Sequence, residues 1–155
     1  MTIEDDIAFL ERVPLLQRLG TGALRILAIG AESYTVQDGQ MLFSSGDPAD
    51  CAYVVQDGSF TLDTGRAGTE PSIAGPGTLL GESALLAETL RPATATARED
   101  SAVLRISRAM FLKMLEGYPD AAERLRELIA RRAEQWADEM ETVRAVLARN
   151  TGPQP

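Results

Sequence analysis

The region from residue 34 to residue 107 consists of short runs rich in β-branched, aromatic and small residues, and turn residues separate each run from the next. Asp38-Gly39 and Asp57-Gly58 lie between such runs, and Asp-Gly predicts a two-residue hairpin because both central positions of a type I′ turn have positive φ. Short, closely spaced strands with repeated turn glycines predict an antiparallel jelly-roll β-barrel. The predicted strands are 34–36, 40–43, 52–56, 59–64, 72–74, 93–98 and 103–107.

Helical patterns precede this region, over residues 2–30. Thr2 and Asp5 have the spacing of a capping box, in which each side chain accepts from the other residue's backbone N–H. A second short helix is predicted from Thr21, as its N-cap, to residue 29. Two helices are therefore expected before the first strand.

Helical patterns also follow the strands. Ser107 is predicted to cap a helix that runs to about residue 116, with Gly117 as its C′ residue. Pro119 then opens a long helix that is predicted to reach residue 148, roughly 45 Å away. One apolar stripe on this helix predicts a homodimer, and the alternative is that the stripe lies along its own barrel. The stripe consists of Leu125, Ile129, Ala133, Trp136, Met140, Val143 and Leu147.

Composition excludes several classes of function. The chain has no histidine and one cysteine, Cys51, which removes most transition-metal sites and the usual Ser-His and Cys-His nucleophiles. We expect Cys51 to be a small buried residue that packs as a hydrophobe. We also expect the protein to have no enzymatic activity and to bind no metal or cofactor. The net charge of -8 argues against a DNA partner. Because no apolar run is long enough to span a membrane and the N-terminus is acidic, we expect a cytoplasmic protein without membrane contact.

Residues 81–97, GESALLAETLRPATATA, place an acid and an arginine around a predicted helical turn. The first N–H groups of such a turn favour an anion, and the small residues Ser83 and Ala84 let a ligand approach the backbone. Arg91 can fork onto two phosphate oxygens, whereas Glu82 needs a donor such as a sugar hydroxyl. These residues predict a pocket for a sugar phosphate ester, and the alternative is a buried Glu82–Arg91 ion pair that fixes a loop.

This segment resembles the phosphate-binding cassette of the cyclic nucleotide-binding domain, in which Gly-Glu, small residues and then Arg with Ala-Thr-type residues hold cAMP or cGMP. FLERVPLLQRL, YTVQDGQMLFSSGDPADCAYVVQDGSFTL and VLRISRAMFLKML resemble that family's N-terminal helices, early strands and first C-terminal helix. The resemblance covers about residues 5–148. It implies one domain over residues 1–155, mainly β with flanking helices at 1–30 and 107–148, whose barrel at 34–107 contains the cassette at 79–97.

The resemblance also implies roles for individual residues. Glu82 matches the acid that accepts the ribose 2′-hydroxyl, and Arg91 matches the residue that binds the cyclic phosphate. Ser83 and Ala84 match the positions that donate backbone N–H groups. The remaining matched positions of the cassette are Gly81, Pro92 and Ala93.

Pro92 departs from the family's pattern. In many members the residue after the arginine donates its N–H to the phosphate, and proline has none. The missing contact is expected to weaken binding by about 1 kcal/mol. Members that select cGMP often carry a hydroxyl at this position, so Pro92 favours cAMP.

The register of the catabolite activator-like members places two residues of the long helix near the ligand. Trp136 is predicted either to stack on the purine as a lid or to be a core residue of the dimer. Arg132 either pairs with Glu82 or is a solvated charge.

The transcription factors of this family carry a winged helix-turn-helix after the long helix, and residues 149–155 show no such pattern. We therefore expect a stand-alone bacterial cyclic nucleotide receptor that signals to an unidentified protein partner and does not bind DNA. The alternative, which Pro92 supports, is an interaction or dimerisation module that keeps this fold and binds no nucleotide.

Overall fold

A computed structural model describes residues 2–128 together with residues 130 and 131. These residues are mainly β, with helices before and after the strands. The helices described over their full length are α1 (Ile3–Leu10), α2 (Thr21–Gly30) and α3 (Arg108–Gly117), with short 3-10 helices at Gln17–Leu19 and Glu82–Leu85, and residues 119–128 and 130–131 are helical as well. The strands are β1 (Glu32–Val36), β2 (Met41–Phe43), β3 (Pro48–Ala49), β4 (Cys51–Asp57), β5 (Phe60–Asp63), β6 (Ser72–Ala74), β7 (Leu79–Leu80), β8 (Thr89–Leu90), β9 (Thr94–Ala97) and β10 (Ser101–Ser107).

Within the described residues, the strands form two four-stranded antiparallel sheets and one two-stranded pair. Sheet I has the order β1-β10-β4-β7, sheet II has the order β2-β9-β5-β6, and β3 pairs with β8. Strands that follow one another in sequence mostly lie in different sheets, so the chain crosses repeatedly between the two. This topology, with its flanking helices, confirms the predicted jelly-roll fold class.

The two Asp-Gly turns do not join paired strands, so the hairpin prediction is wrong at both places. Asp38-Gly39 joins β1 to β2 and Asp57-Gly58 joins β4 to β5, and each turn therefore leads from sheet I to sheet II. The positive φ angles of the described residues all belong to glycines, so neither turn is type I′. Both turns are corners, because β1 and β4 pair with β10 and not with the strand that follows.

The central strands of sheet I, β4 and β10, are buried on both faces, whereas most of β1 is exposed. The inner face of sheet I packs against sheet II, and its outer face packs against the helices. Because side chains alternate along a strand, β4 directs Cys51, Tyr53 and Val55 inward and Ala52 and Val54 towards the helices. The cluster between the sheets contains Val36, Val55, Phe60, Ala74, Leu80, Ala95, Ala97 and Val103.

The helix N-termini agree with the sequence in part. α1 begins with the predicted capping box, because Thr2 and Asp5 accept from each other's backbone N–H at 3.2 Å. Ser107 caps α3 as predicted and accepts a backbone N–H of the first turn at 3.2 Å. Thr21 is not an N-cap, because it is the first helical residue of α2 and Gly20 precedes it with φ of 89°.

The ends of the C-terminal elements also differ from the prediction. Gly117 is the last residue of α3 and not its C′ residue, and it is not among the described glycines with positive φ. The helix ends because Tyr118 precedes Pro119, and a residue before proline is pushed out of the helical region. The predicted long helix is present over residues 119–128 and 130–131, and its remainder lies outside the described residues.

Candidate functional site

The cassette, residues 79–97, begins with a tight turn. Gly81 has φ of 79° and ψ of 40°, a left-handed conformation that glycine adopts without a steric penalty. The 3-10 helix Glu82–Leu85 follows, and Ala84 N–H donates to Gly81 O at 3.0 Å. Ala84 and Leu85 are buried beneath this turn, while Glu82 and Ser83 are exposed. Apolar contacts therefore hold the turn in place, and its first two residues face solvent.

Arg91 follows β8, and its backbone is fixed on both sides. Its N–H donates to Asp47 O at 2.8 Å, and its carbonyl oxygen accepts from Gly46 N–H at 2.8 Å. These two bonds extend the pairing of β3 with β8 by one residue. The side chain that this backbone holds is buried, with only 4% of Arg91 exposed.

The guanidinium of Arg91 is enclosed by two aromatic rings and a thiol. Its Cζ lies 4.4 Å from the ring centroid of Phe43 and 5.5 Å from that of Tyr53. The two rings stack with their centroids 6.0 Å apart. Nη2 donates to the sulfur of Cys51 at 3.2 Å, whereas Nη1 is buried without a hydrogen-bond partner. The guanidinium therefore has one satisfied edge and one unsatisfied edge.

Gly81 lies directly against this guanidinium. A Cβ added at Gly81 would overlap Nη1 of Arg91 and would lie 3.6 Å from the carbonyl oxygen of Cys51. Both the positive φ and this close approach require glycine at the position. The turn that follows Gly81 and the charge of Arg91 are thus adjacent in space.

Arg105, on the inner face of sheet I, has a different environment from Arg91. Arg105 lies opposite Tyr53 in the ladder between β10 and β4. Its guanidinium lies 3.4 Å from the carboxylate of Asp50 and 4.0 Å from that of Glu32. The ion pairs between described residues include none to Arg91. Of these two arginines, Arg91 is therefore the one without a carboxylate at ion-pair distance among the described residues.

Tyr53 presents Arg91 with a neutral ring. Burial raises the pKa of Tyr53 to about 12, the neighbouring Cys51 side chain adds to the rise, and the positive charges of Arg91 and Arg105 oppose it. The phenol therefore stays protonated well above neutral pH. Its contact with Arg91 is a cation–π contact and not an ion pair with a phenolate.

Arg108, the first residue of α3, connects the cassette to the rest of the fold. Its Nη1 donates to the carbonyl oxygens of Ala49, Ala84 and Ala87 at 3.1, 3.3 and 2.9 Å. Its backbone N–H donates to Asp50 O at 2.8 Å. One residue thus joins the end of the cassette turn, strand β3 and the start of a C-terminal helix.

The predicted site residues fall into three groups. Gly81 and Arg91 are in contact, Ala84 is buried beside them, and Glu82, Ser83 and Pro92 are exposed with Ala93 half-buried. The alternative of a buried Glu82–Arg91 ion pair is not found among the ion pairs of the described residues, and Glu82 is exposed. Trp136 and Arg132 lie outside the described residues.

Sequence reasoning missed the residues that enclose Arg91. Cys51 is buried as predicted, at 2% exposure, but it also accepts a hydrogen bond from Arg91. The sequence of β4 did indicate that Cys51 and Tyr53 face the interior, because the alternation of side chains along a strand places them on the same face as Val55. Nothing in the sequence around Phe43 indicated that its ring lies over an arginine.

The described part of the chain shows neither a metal-binding cluster nor a membrane-spanning helix. Its cysteine and acidic side chains include no group of three or more that is placed to hold a metal ion. None of its helices has both the length and the hydropathy that a membrane span requires.

Comparison with known protein families identifies a matching domain. A profile of the cyclic nucleotide-binding domain matches residues 34–118, which is more than half of the chain. The chain is also similar to the cyclic AMP receptor protein of Thermus thermophilus, with 36% identity over 115 residues that cover 72% of this chain. The match covers 53% of the receptor, so the chain spans about half the length of this relative.

Solved structures share the fold. A cyclic nucleotide-binding-like protein from Brucella abortus has 42% identity and a TM-score of 0.64, and the match covers 72% of this chain and 98% of that one. The N-terminal domain of a transcriptional regulator from Streptomyces coelicolor has 30% identity and a TM-score of 0.78, with 85% and 94% of the two chains covered. Both likenesses extend over nearly the whole of the solved chain.

Proposed function

The chain belongs to the cyclic nucleotide-binding domain family, and on that premise we propose that it is a cytoplasmic regulatory module that binds cAMP in preference to cGMP. The observation that carries the proposal is Arg91, a buried guanidinium whose Nη1 has no hydrogen-bond partner beside the cassette turn. The proposed ligand contact is between this nitrogen and an oxygen of the cyclic phosphate.

The charge of Arg91 supports an anionic ligand. A buried cation is unfavourable unless its N–H groups are paired, and the thiol and the two rings around Arg91 carry no formal negative charge in their neutral forms. A phosphate oxygen supplies both the missing acceptor and the counter-charge in one charge-assisted hydrogen bond. A cyclic phosphodiester carries a single negative charge, which one guanidinium neutralises.

Glu82 is proposed to accept the ribose 2′-hydroxyl. It directly follows Gly81, which lies against Nη1 of Arg91, so a phosphate bound at Nη1 brings its sugar close to the exposed carboxylate of Glu82. A carboxylate accepts hydrogen bonds only, and a hydroxyl is the donor that such a ligand carries. Ala84 N–H is bonded to Gly81 O within the turn, so Ser83 is the better candidate for a backbone contact with the phosphate.

Pro92 supports cAMP over cGMP. The residue is exposed, and its side chain has no hydroxyl or other group that could read the amide edge of guanine.

Ligand binding is proposed to reach a protein partner through the C-terminal helices. The hydrogen bonds from Arg108 to Ala84 and Ala87 support this route, because they join the cassette to the first residue of α3. A ligand can shift these helices only by its differential affinity for the two arrangements, commonly about 1–3 kcal/mol. Closure of Trp136 over the base and pairing of Arg132 with Glu82 belong to the same proposal.

A homodimer through the long C-terminal helix is the proposed assembly. The apolar stripe supports it, and the first member, Leu125, is buried against the helices of its own chain at 3% exposure. The dimer therefore depends on the members after Leu125. Light scattering at micromolar concentration is expected to give twice the chain mass of 16.7 kDa, and a monomer would contradict the stripe argument.

Titration calorimetry with cAMP, cGMP and 5′-AMP tests the ligand proposal. The wild type is expected to bind cAMP most tightly, and Arg91→Ala is expected to lose roughly tenfold to hundredfold in affinity. Arg98→Ala is the matched control, because it removes an exposed arginine just after β9 and is expected to bind normally. The absence of heat with both cyclic nucleotides near millimolar concentration would refute the proposal.

The second candidate is an interaction module that keeps the fold but binds no nucleotide. Pro92 favours it, because the residue after Arg91 offers no N–H to a phosphate. Under this candidate, Arg91→Ala changes neither a nucleotide response nor the binding of a protein partner, so the same variant separates the two functions.

A further inference from the structure

The thiol of Cys51 has a contact that the cyclic nucleotide proposal does not use. Its sulfur accepts from Nη2 of Arg91 at 3.2 Å, and both residues are buried. We infer that Cys51 is a positioning residue for Arg91, and that its sulfur occupies Nη2 so that Nη1 is the nitrogen left for the phosphate. The inference rests on the proposed function, because it assigns the edge of Arg91 that the ligand uses.

A guanidinium can present either of its Nη groups, or both, to an anion. In this site its environment distinguishes them. Nη2 is directed to the Cys51 sulfur, whereas Nη1 is the nitrogen next to Gly81 and the start of the cassette turn. Rotation about the Nε–Cζ bond exchanges the two chemically equivalent Nη groups between these positions, and the bond to sulfur slows that rotation.

The aromatic pair restrains a different motion. Phe43 and Tyr53 stack on each other, and the guanidinium carbon lies 4.4 Å from the nearer ring centroid. The rings therefore restrict tilting of the guanidinium plane, but a flat ring does not select between the two nitrogens. The sulfur is the hydrogen-bond contact that opposes rotation of the guanidinium, so that one Nη group stays at the sulfur and the other stays beside Gly81.

Cys51 is itself held firmly enough to act in this way. It begins β4, and its backbone is opposite Ser107 in the ladder with β10. At 2% exposure its side chain has little freedom to rotate away. Alanine at this position would remove the acceptor, and serine would keep an acceptor on a shorter side chain.

Two measurements on the full chain test the inference. The first is the ¹⁵N spectrum of the Arg91 guanidinium without ligand, in which restricted rotation gives separate signals for the two Nη groups. We expect separate signals in the wild type, partial separation in Cys51→Ser, and averaging in Cys51→Ala. Val55→Ala is the matched control, because it also shortens an inward side chain of β4 but lies about 13 Å further along the strand.

The second measurement is a double-mutant cycle of cAMP affinity with Arg91→Ala. Cys51→Ala is expected to weaken binding roughly threefold to tenfold in the wild type and to have no further effect when Arg91 is absent. Cys51→Ser is expected to lose less than Cys51→Ala, and Val55→Ala is expected to bind normally.

The outcomes separate this inference from the proposed function. Unchanged guanidinium signals in both Cys51 variants would overturn the positioning role, and so would an equal loss of affinity from Cys51→Ala with and without Arg91. If the wild type binds no cyclic nucleotide, the proposed function fails. The ligand-free spectrum then still decides whether Cys51 fixes Arg91.

Discussion

At the level of single residues, the distinctive feature of this chain is a buried arginine whose neighbours are two aromatic rings and a thiol. A cation–π contact contributes about 0.5–2 kcal/mol, and a thiol is a weak acceptor. Such neighbours make the burial of Arg91 tolerable without neutralising its charge. The charge of Arg105, by contrast, is neutralised by the carboxylates of Asp50 and Glu32 beside it. The unneutralised charge is what gives Arg91 its expected affinity for an anion.

Substitution of Gly81 tests the contact between the cassette turn and Arg91. Gly81→Ala is expected to abolish most cAMP binding, because the new Cβ would displace Nη1 of Arg91. Gly77→Ala is the control, since Gly77 also has positive φ, 89°, but has no atom within 4 Å of a Cβ. Each variant is expected to lose about 1–2 kcal/mol of stability from the left-handed backbone, measured by urea unfolding. Equal cAMP affinity in the two variants would show that the contact is irrelevant to binding.

The ionisation of Tyr53 gives a pH prediction. The folded-state pKa of about 12 lies above the ordinary value of 10.0, so the resulting stability is fully present below pH 10 and is lost as the pH rises towards 12. A spectrophotometric titration of tyrosinate is expected to lose its highest-pH step in Tyr53→Phe, and urea unfolding of this variant should depend less on pH above 10. A Tyr53 that titrates near 10 would contradict the burial of its phenol, which is the main cause of the raised pKa.

Only part of this site follows from the sequence. Gly81, Glu82 and Arg91 were indicated by the family resemblance of residues 81–97, because their spacing alone left a buried Glu82–Arg91 ion pair as an alternative. The contacts of Arg91 with Phe43 and Cys51 depend on how two sheets face each other, and no local pattern encodes that arrangement. A buried cysteine also looks the same in sequence whether or not it accepts a hydrogen bond.

At the level of elements, the cassette is held at two points. The Arg91 backbone extends the β3–β8 pair, and Arg108 binds the carbonyl oxygens of Ala84 and Ala87. The second attachment belongs to α3, so the cassette and the first C-terminal helix share a residue. A rearrangement of the turn is therefore expected to change the start of α3.

Removal of Arg108 tests this attachment. Arg108→Ala is expected to destabilise the fold by about 1–3 kcal/mol, because the carbonyl oxygens of the buried residues Ala49 and Ala84 lose a charged donor. Hydrogen exchange of the backbone amides in residues 84–90 is expected to accelerate more than exchange in sheet II. Arg126→Ala is the control, because it removes only an exposed ion pair with Glu123 and is expected to change stability by less than about 1 kcal/mol. Similar exchange in the two variants would refute the role of Arg108.

The elements themselves were largely predictable, but their pairing was not. Runs of β-branched, aromatic and small residues between turn residues located the longer strands, and Ser107 located the start of α3. The Asp-Gly turns pointed to hairpins that do not exist, because β10 supplies more pairing surface than the short strand after each turn. β3 and β8 were missed, since a two-residue strand has no period to detect.

At the level of the whole molecule, sheet I is the layer that both halves of the fold share. Its inner face meets sheet II near Arg91, and its outer face meets the helices. Leu85 of the cassette turn is fully buried in the helix-facing cluster, so the turn contacts the same core as α3. The ligand site and the helices that are proposed to carry the signal are therefore parts of one packed structure.

Phosphorus NMR of cAMP gives the most direct test that this chain binds a cyclic nucleotide through Arg91. Addition of the wild-type protein is expected to shift or broaden the phosphorus signal until about one nucleotide is bound per chain. The same addition of Arg91→Ala is expected to have almost no effect at equal concentration. A signal that responds identically to the two proteins, or to neither near millimolar concentration, would contradict the proposal that Arg91 binds the phosphate.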